Sequence, residues 1–246
     1  MKTKLAEMRE EIETMKLQTP YNFCDRWCEK CSEDIKNTCT VYKKCREKEK
    51  EHVTHGINPN DPDVLFADIF NNFHETLTML KEFSEQEGID ISKLPDTNLS
   101  EDFDEKKWLT YPLYSLSKKY FNSIDTLFHY AYFSQEEFSD EANDYLDALM
   151  WYRSLLPAKS YRIVQDLYGN DNNDDEEFGI FDALGQIDIL KKAIEQSKNA
   201  LQYVIKQRLC FMTKAIDPLH ILEEVSQELQ NLEKNIGVEL AVFGGS

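Results

Sequence analysis

Glycine and proline are scarce in this chain, eight and seven among 246 residues. Their scarcity removes the commonest interruptions of long helices and argues against a turn-rich β architecture. Cations are outnumbered too: 28 Lys and Arg face 46 Asp and Glu, a formal net charge of -18. Such a surface repels a phosphate backbone unless a basic patch is segregated on one face, so nucleic acid is not an expected partner. No window is long and apolar enough for a transmembrane span, and MKTKLAEMREEIETMK lacks the continuous apolar stretch of a signal peptide. The expectation is a cytoplasmic protein with no membrane partner. Also absent are G-x-S-x-G, a phosphate loop and a dinucleotide fingerprint, so no enzyme class is indicated.

What is present is material for a core. Hydrophobic residues make up 41% of the chain and aromatics 12%, too much for a disordered protein. The spacing of these residues is helical. Leu5, Met8, Ile12 and Met15 predict an amphipathic helix that stops before Pro20. Two heptads are short for a coiled coil, so this face is expected to pack on the body of the protein, with a homo-oligomer contact as the alternative.

INPNDPD then reads as a loop in which Asp61 caps a helix opening at Pro62. That helix should run to about Glu87, and Leu65, Ile69, Phe73, Leu77, Leu80 and Phe83 predict a core helix. Residues 88–111 read as a crossover connection. Helical patterning resumes from Pro112 to about Phe133. Ser134 with Glu137 offers a capping box for the next helix, which Pro157 should kink or break before Gly169. NDNNDDEEF from Asn170 reads as an acidic loop without EF-hand spacing. Two further helices are expected, one through Phe181 to Ile205 and one from Asp217-Pro218 to Gly237. The fold class is therefore all-α: a helical bundle over residues 61–246, preceded by an N-terminal helix and a cysteine-rich metal-binding segment over residues 1–60 at one end of the bundle.

That segment carries the strongest chemical signal. Cys24, Cys28, Cys31 and Cys39 fall within sixteen residues as C-x3-C-x2-C-x7-C. In a reducing cytoplasm such a cluster points to metal rather than to disulfides, and four soft thiolates suit zinc or an iron-sulfur cluster. On a continuous helix Cys24, Cys28 and Cys31 share one face, but the first and third are then separated by about 10.5 Å of rise. Tetrahedral zinc needs ligand sulfurs about 3.8 Å apart, so an unbroken helix favours a 4Fe-4S cubane and a helix broken near Cys28 leaves zinc open. Both cofactors stay in play. Cys45, among charged neighbours, reads as a spare thiol, and Cys210, beside Leu209 and Phe211, as a buried apolar residue. The radical-SAM reading of C-x3-C-x2-C is disfavoured by the absence of an alternating β/α pattern.

Other candidates are thinner. Glu49 and His52 form a single E-x-x-H inside a charged run, whereas a di-iron bundle needs two. The basic run Lys43 to Lys50 is interrupted by Glu47 and Glu49 and reads as a solvated helix face. Arg153, Lys159 and Arg162 bring cations onto an otherwise apolar helix, where they are expected to pair with Asp182 or to bind an anion.

YNFCDRWCEKC with Cys39, MWYRSLLPAKSYR at 150–162 and DALGQIDILKKAIEQS at 182–197 together resemble a group of uncharacterised helical bacterial proteins that open with Y-N-x-C-D-x-W-C-E-x-C. The resemblance implies that Cys24, Cys28, Cys31 and Cys39 are the functional four and that Cys45 lies outside the pattern. It implies no activity. Composition, spacing and resemblance lead to one expectation: a metal-binding helical interaction or regulatory protein whose partner is another protein. The competing classes are an iron-sulfur redox protein or oxidant sensor, and an enzyme with a pocket in the bundle.

Overall fold

The computed structural model describes residues 3–59, 61–86, 88, 105–133, 137–169 and 176–243. Among them no strand occurs, and in chain order the helices are α1 (Lys4–Gln18), α2 (Glu33–Thr38), α3 (Thr40–Thr54), α4 (Pro62–Gln86), α5 (Glu105–Leu109), α6 (Pro112–Phe133), α7 (Asp140–Tyr168), α8 (Glu176–Lys206) and α9 (Ile216–Phe243). The chain divides into two compact units, residues 1–30 with 105–246 and residues 31–104. The boundary expected at residue 60 falls inside the second unit, between α3 and α4.

In the first unit α6, α7, α8 and α9 form a closed ring of packed neighbours, with α7 against α8 the most extensive contact. Leu127, Leu149, Leu156, Ile163, Leu184, Ile187, Leu190, Leu222 and Val225 fill its centre. Tyr145 stacks on Tyr203 at 4.2 Å, and Arg162 meets Asp182, so α7 and α8 run antiparallel. Buried Ser117 and Ser160 satisfy each other at 2.6 Å.

Pro157 does not break α7. It lies buried inside one helix from Asp140 to Tyr168. The lost backbone hydrogen bond costs about 3 kcal/mol, which the apolar face of a 29-residue helix offsets through packing. That helix is capped by Ser139, whose side chain accepts from the Ala142 amide at 3.2 Å. Of the expected capping box, Ser134 lies outside the described residues. So do 89–104 of the expected crossover and 170–175 of the acidic loop; Glu176 to Phe178 already belong to α8.

α9 also outruns its expected stop, continuing through Gly237 to Phe243. A Cβ at Gly237 would stand 3.2 Å from Leu5 Cδ2, so this glycine serves the approach of α1 rather than a helix end. Met8 and Ile12 of α1 are buried. Arg9 ties α1 to α8 and α9, binding Asp188 at 2.8 Å, the Leu184 carbonyl at 3.2 Å and Glu233. The face considered for self-association on α1 is thus occupied within its own unit.

In the second unit α2 and α3 adjoin, and α4 begins at Pro62 with Asp61 Oδ1 accepting from the Asp63 amide at 2.9 Å. The expectation of a core helix fails here. Of the six residues behind it, Phe73 is 63% exposed, Leu77 41%, Leu80 53% and Phe83 57%, and the side chains of Leu65 and Ile69 lie outside those described. Their spacing reports an amphipathic helix correctly, but amphipathicity does not say whether a partner covers the face. No helix among the described residues is long and apolar enough to cross a membrane.

Candidate functional site

The cysteine motif does not form a continuous helix. A 3-10 turn over Pro20–Asn22 gives way to irregular backbone and a second 3-10 turn over Cys28–Lys30 before α2 begins at Glu33. Arg26 sits at φ +61°, a conformation that costs a non-glycine residue about 1–2 kcal/mol. The geometric preference for a cubane rested on an unbroken helix, and it disappears with the break. The boundary between the units lies between Lys30 and Cys31, so Cys24 and Cys28 belong to the first unit and Cys31, Cys39 and Cys45 to the second.

Asp25, between the first two thiols and next to Arg26, anchors this irregular stretch. It is only 2% exposed, and an isolated buried carboxylate is strongly unfavourable. Here it is fully engaged. Its Oδ2 accepts from Tyr152 Oη at 2.7 Å and faces Lys192 Nζ at 2.7 Å. Its Oδ1 accepts from the Trp27 amide at 3.3 Å, and its carbonyl accepts from Trp151 Nε1 at 3.0 Å. Burial pushes the Asp25 carboxyl up, but the Lys192 ammonium and the Tyr152 hydroxyl outweigh it and hold the group below the ordinary carboxylate value.

Aromatic packing completes the anchor. Trp27 stacks on Trp151 at 5.7 Å and meets Tyr152 edge-on at 5.8 Å. Lys30 Nζ reaches Asp144 at 2.7 Å. On the other side Phe23 lies over Gly185, where a Cβ would stand 2.8 Å from the ring; only glycine lets the loop come this close to α8. The loop therefore rests against the middle of the α7/α8 pair and not at an end of the bundle. The three segments that carry the resemblance converge here, since Asp25 and Phe23 touch residues 151, 152, 185 and 192.

The thiols are unequal in exposure. Cys39 is buried, Cys24, Cys28 and Cys31 are half-buried, and Cys45 is exposed. Cys39 Sγ caps α3 by accepting from the Tyr42 amide at 3.4 Å. A lysine interacts electrostatically with Cys24 (Lys159) and another with Cys31 (Lys36). Cys210 is exposed rather than buried, because it lies in the turn after α8 where the helical spacing has ended. No group of three or more Cys, His, Asp or Glu side chains is assembled for a metal ion among the described residues.

The cations of α7 are spoken for. Arg162 binds Asp182 through both nitrogens, Nε to Oδ2 at 2.7 Å and Nη2 to Oδ1 at 2.9 Å. Arg153 pairs with Asp125 instead. Lys159 donates to Gln186 Oε1 at 2.7 Å, and burial, with Arg162 nearby, holds its ammonium below the usual lysine range. Beside this cluster Asp166 has its carboxyl pushed up to about 7 by burial and by Asp182. Of the E-x-x-H pair, Glu49 is paired to Arg46 and His52 Nε2 lies 3.1 Å from Asp68 Oδ2. An open groove of about 550 Å³ runs beside the anchor, lined by Asp25, Arg26, Trp27, Asp147, Met150 and Trp151 among others. None of its described lining residues is a cysteine.

Sequence reasoning missed Asp25, Tyr152 and Lys192 as a unit. The available signal was an acid flanked by aromatics in N-F-C-D-R-W, together with Trp151-Tyr152 far along the chain. No family model matches the chain, and neither a curated protein nor a solved structure matches it.

Proposed function

We propose that this chain is a helical interaction or regulatory protein of the cytoplasm in which Cys24, Cys28, Cys31 and Cys39 bind a metal, zinc or a 4Fe-4S cluster. The metal then knits residues 21–45 into a compact knob that contacts a protein partner. Asp25 is the observation that supports this most. Burying a carboxylate is unfavourable unless every lone pair is met, and Asp25 meets Tyr152, Lys192 and Trp27 while sitting between two thiols. The result is a fixed backbone under Cys24 and Cys28, a support for two of the four thiols. Thiolates would supply soft, anionic ligation, and the ligation free energy would act as folding free energy for a segment with little core of its own.

The ion pairs on α7 favour this over an enzyme pocket at Arg153, Lys159 and Arg162, since those cations already have partners. The test is to purify the untagged protein without oxygen and record its visible spectrum with iron, sulfide and zinc content. A colourless protein with about one zinc supports a structural knob. A brown protein with about four irons makes it a redox protein or oxidant sensor. Neither metal at a stoichiometric level sinks the reading.

A further inference from the structure

Within the second unit α4 is joined to α3 by polar groups. Lys48 Nζ reaches Asp68 Oδ1 at 3.1 Å and Asn72 Oδ1 at 3.4 Å, and His52 Nε2 reaches Asp68 Oδ2 at 3.1 Å. At about 100° per residue, Asp68 and Asn72 lie across the helix from Phe66, Phe70, Phe73, Leu77 and Leu80. Those five fall within a sector of about 80° and are between 41% and 70% exposed. The helix thus meets α3 with its polar side and leaves its apolar stripe to solvent. Most helix stability comes from burying such a stripe, and exposed apolar patches of several hundred Å² mark interaction surfaces.

We infer that the stripe is a self-association surface that pairs with the same stripe of a second copy of this chain. Three observations select that occupant. The steps of four, three, four and three from Phe66 to Leu80 form an uninterrupted a/d seam, the pattern by which two identical helices mesh. The seam spans two heptads, as on α1, but α4 carries it on 25 residues rather than 15 and leaves it exposed, whereas Met8 and Ile12 of α1 are buried. The five stripe side chains expose roughly 600 Å², taking about 200 Å² per large side chain, most of the ~800 Å² that each partner buries in a standard interface.

Charge points the same way. Two copies carrying -18 each repel over most of their surface, but between residues 66 and 80 the acids are only Asp68 and Glu75. Asp68 is paired to Lys48 and His52, and Glu75 lies opposite the stripe. An isologous pairing about a two-fold axis brings the seam onto itself where repulsion is least.

Sedimentation of the full chain tests this, over a range of about 1–100 µM, for wild type and for Phe70→Glu with Phe73→Glu. The expected result is a wild-type dimer with a dissociation constant of about 10 µM or tighter and a monomeric variant with unchanged helicity. A wild-type monomer throughout overturns the inference, as does a dimer that the two glutamates leave intact; the first outcome assigns the stripe to a contact within the same chain. Hydrogen exchange of the wild type alone keeps the test independent of the variant's folding. Protection of residues 66–80 should rise with concentration, and protection rising only elsewhere also overturns the inference.

Discussion

Tyr152 donates its phenolic hydrogen to Oδ2 of Asp25 at 2.7 Å, joining positions 127 residues apart. Both groups are 2% exposed, so the bond is made where water does not compete. It fixes the one buried acid of the cysteine loop to the centre of α7.

Removing either partner should therefore loosen the loop without dissolving the bundle. Tyr152→Phe leaves a buried carboxylate short of one donor, a loss of about 1.5–3 kcal/mol for a bond to a charged group. Asp25→Asn should cost a similar amount and uncouple Lys192. A double-mutant cycle by urea unfolding measures the link; strictly additive effects would show that the two residues do not interact.

Gly185→Ala probes the opposite side of the loop. In an open helix interior the change gains about 1 kcal/mol, but here the new methyl meets the Phe23 ring at 2.8 Å. Overpacking of this kind costs about 1–3 kcal/mol, so the variant should be less stable than wild type. Adding Phe23→Leu should recover part of the loss. A stabilised single variant would mean that Phe23 does not lie over α8 in solution.

Asp166 gives the stability curve a slope. Its native carboxyl, pushed up to about 7 by burial and Asp182 with Arg162 opposing, holds a proton that the unfolded chain releases near pH ~3.9. Between these values folding takes up a proton, so this group lowers stability as pH rises and the loss is complete above about pH 7. Asp166→Asn should match wild type near pH ~4 and exceed it near pH ~8. Denaturation midpoints at both pH values decide it: parallel slopes for the two proteins would remove Asp166 as the cause.

The proposed ligand set makes a distinction among six cysteines. Cys28→Ser and Cys39→Ser should each lower metal content several-fold and loosen residues 31–45, where ligation would act as folding free energy, while Asp25 and Trp27 keep residues 23–30 on α7 and the α6 to α9 ring is spared. Cys45→Ser and Cys210→Ser, exposed positions outside the motif, should leave metal content and melting unchanged. Full metal retention in Cys28→Ser would end the four-thiol reading.

Much of the helical layout was legible in the chain. The limits of α6, the Asp61-Pro62 start of α4 and the Gly169 end of α7 follow from local signals, because caps, prolines and helical spacing act within a few residues. The burial of Ile12, Leu149 and Ile187 follows likewise from periodicity. Local rules failed where tertiary packing outweighed them. Pro157 stays inside α7, buried on the side where Arg153 and Ser160 meet α6, and Gly237 stays inside α9 because Leu5 packs against it.

The candidate site was legible as a set of thiols and no further. Spacing marks Cys24, Cys28, Cys31 and Cys39 as chemically special, since four soft ligands so close in sequence have few other uses. It carries no information about Asp25, whose partners at 151, 152 and 192 are brought near only by the antiparallel packing of α7 on α8. Nor does spacing say which side of an amphipathic helix is covered. By itself the sequence determined the all-α class, some of the helix limits, the acidity and the cluster of thiols, all properties of neighbouring residues. The tertiary structure alone decided that Asp25 is buried, that Phe23 needs Gly185 and that the stripe on α4 faces solvent, because burial belongs to pairs of surfaces and local sequence encodes only one surface of each pair.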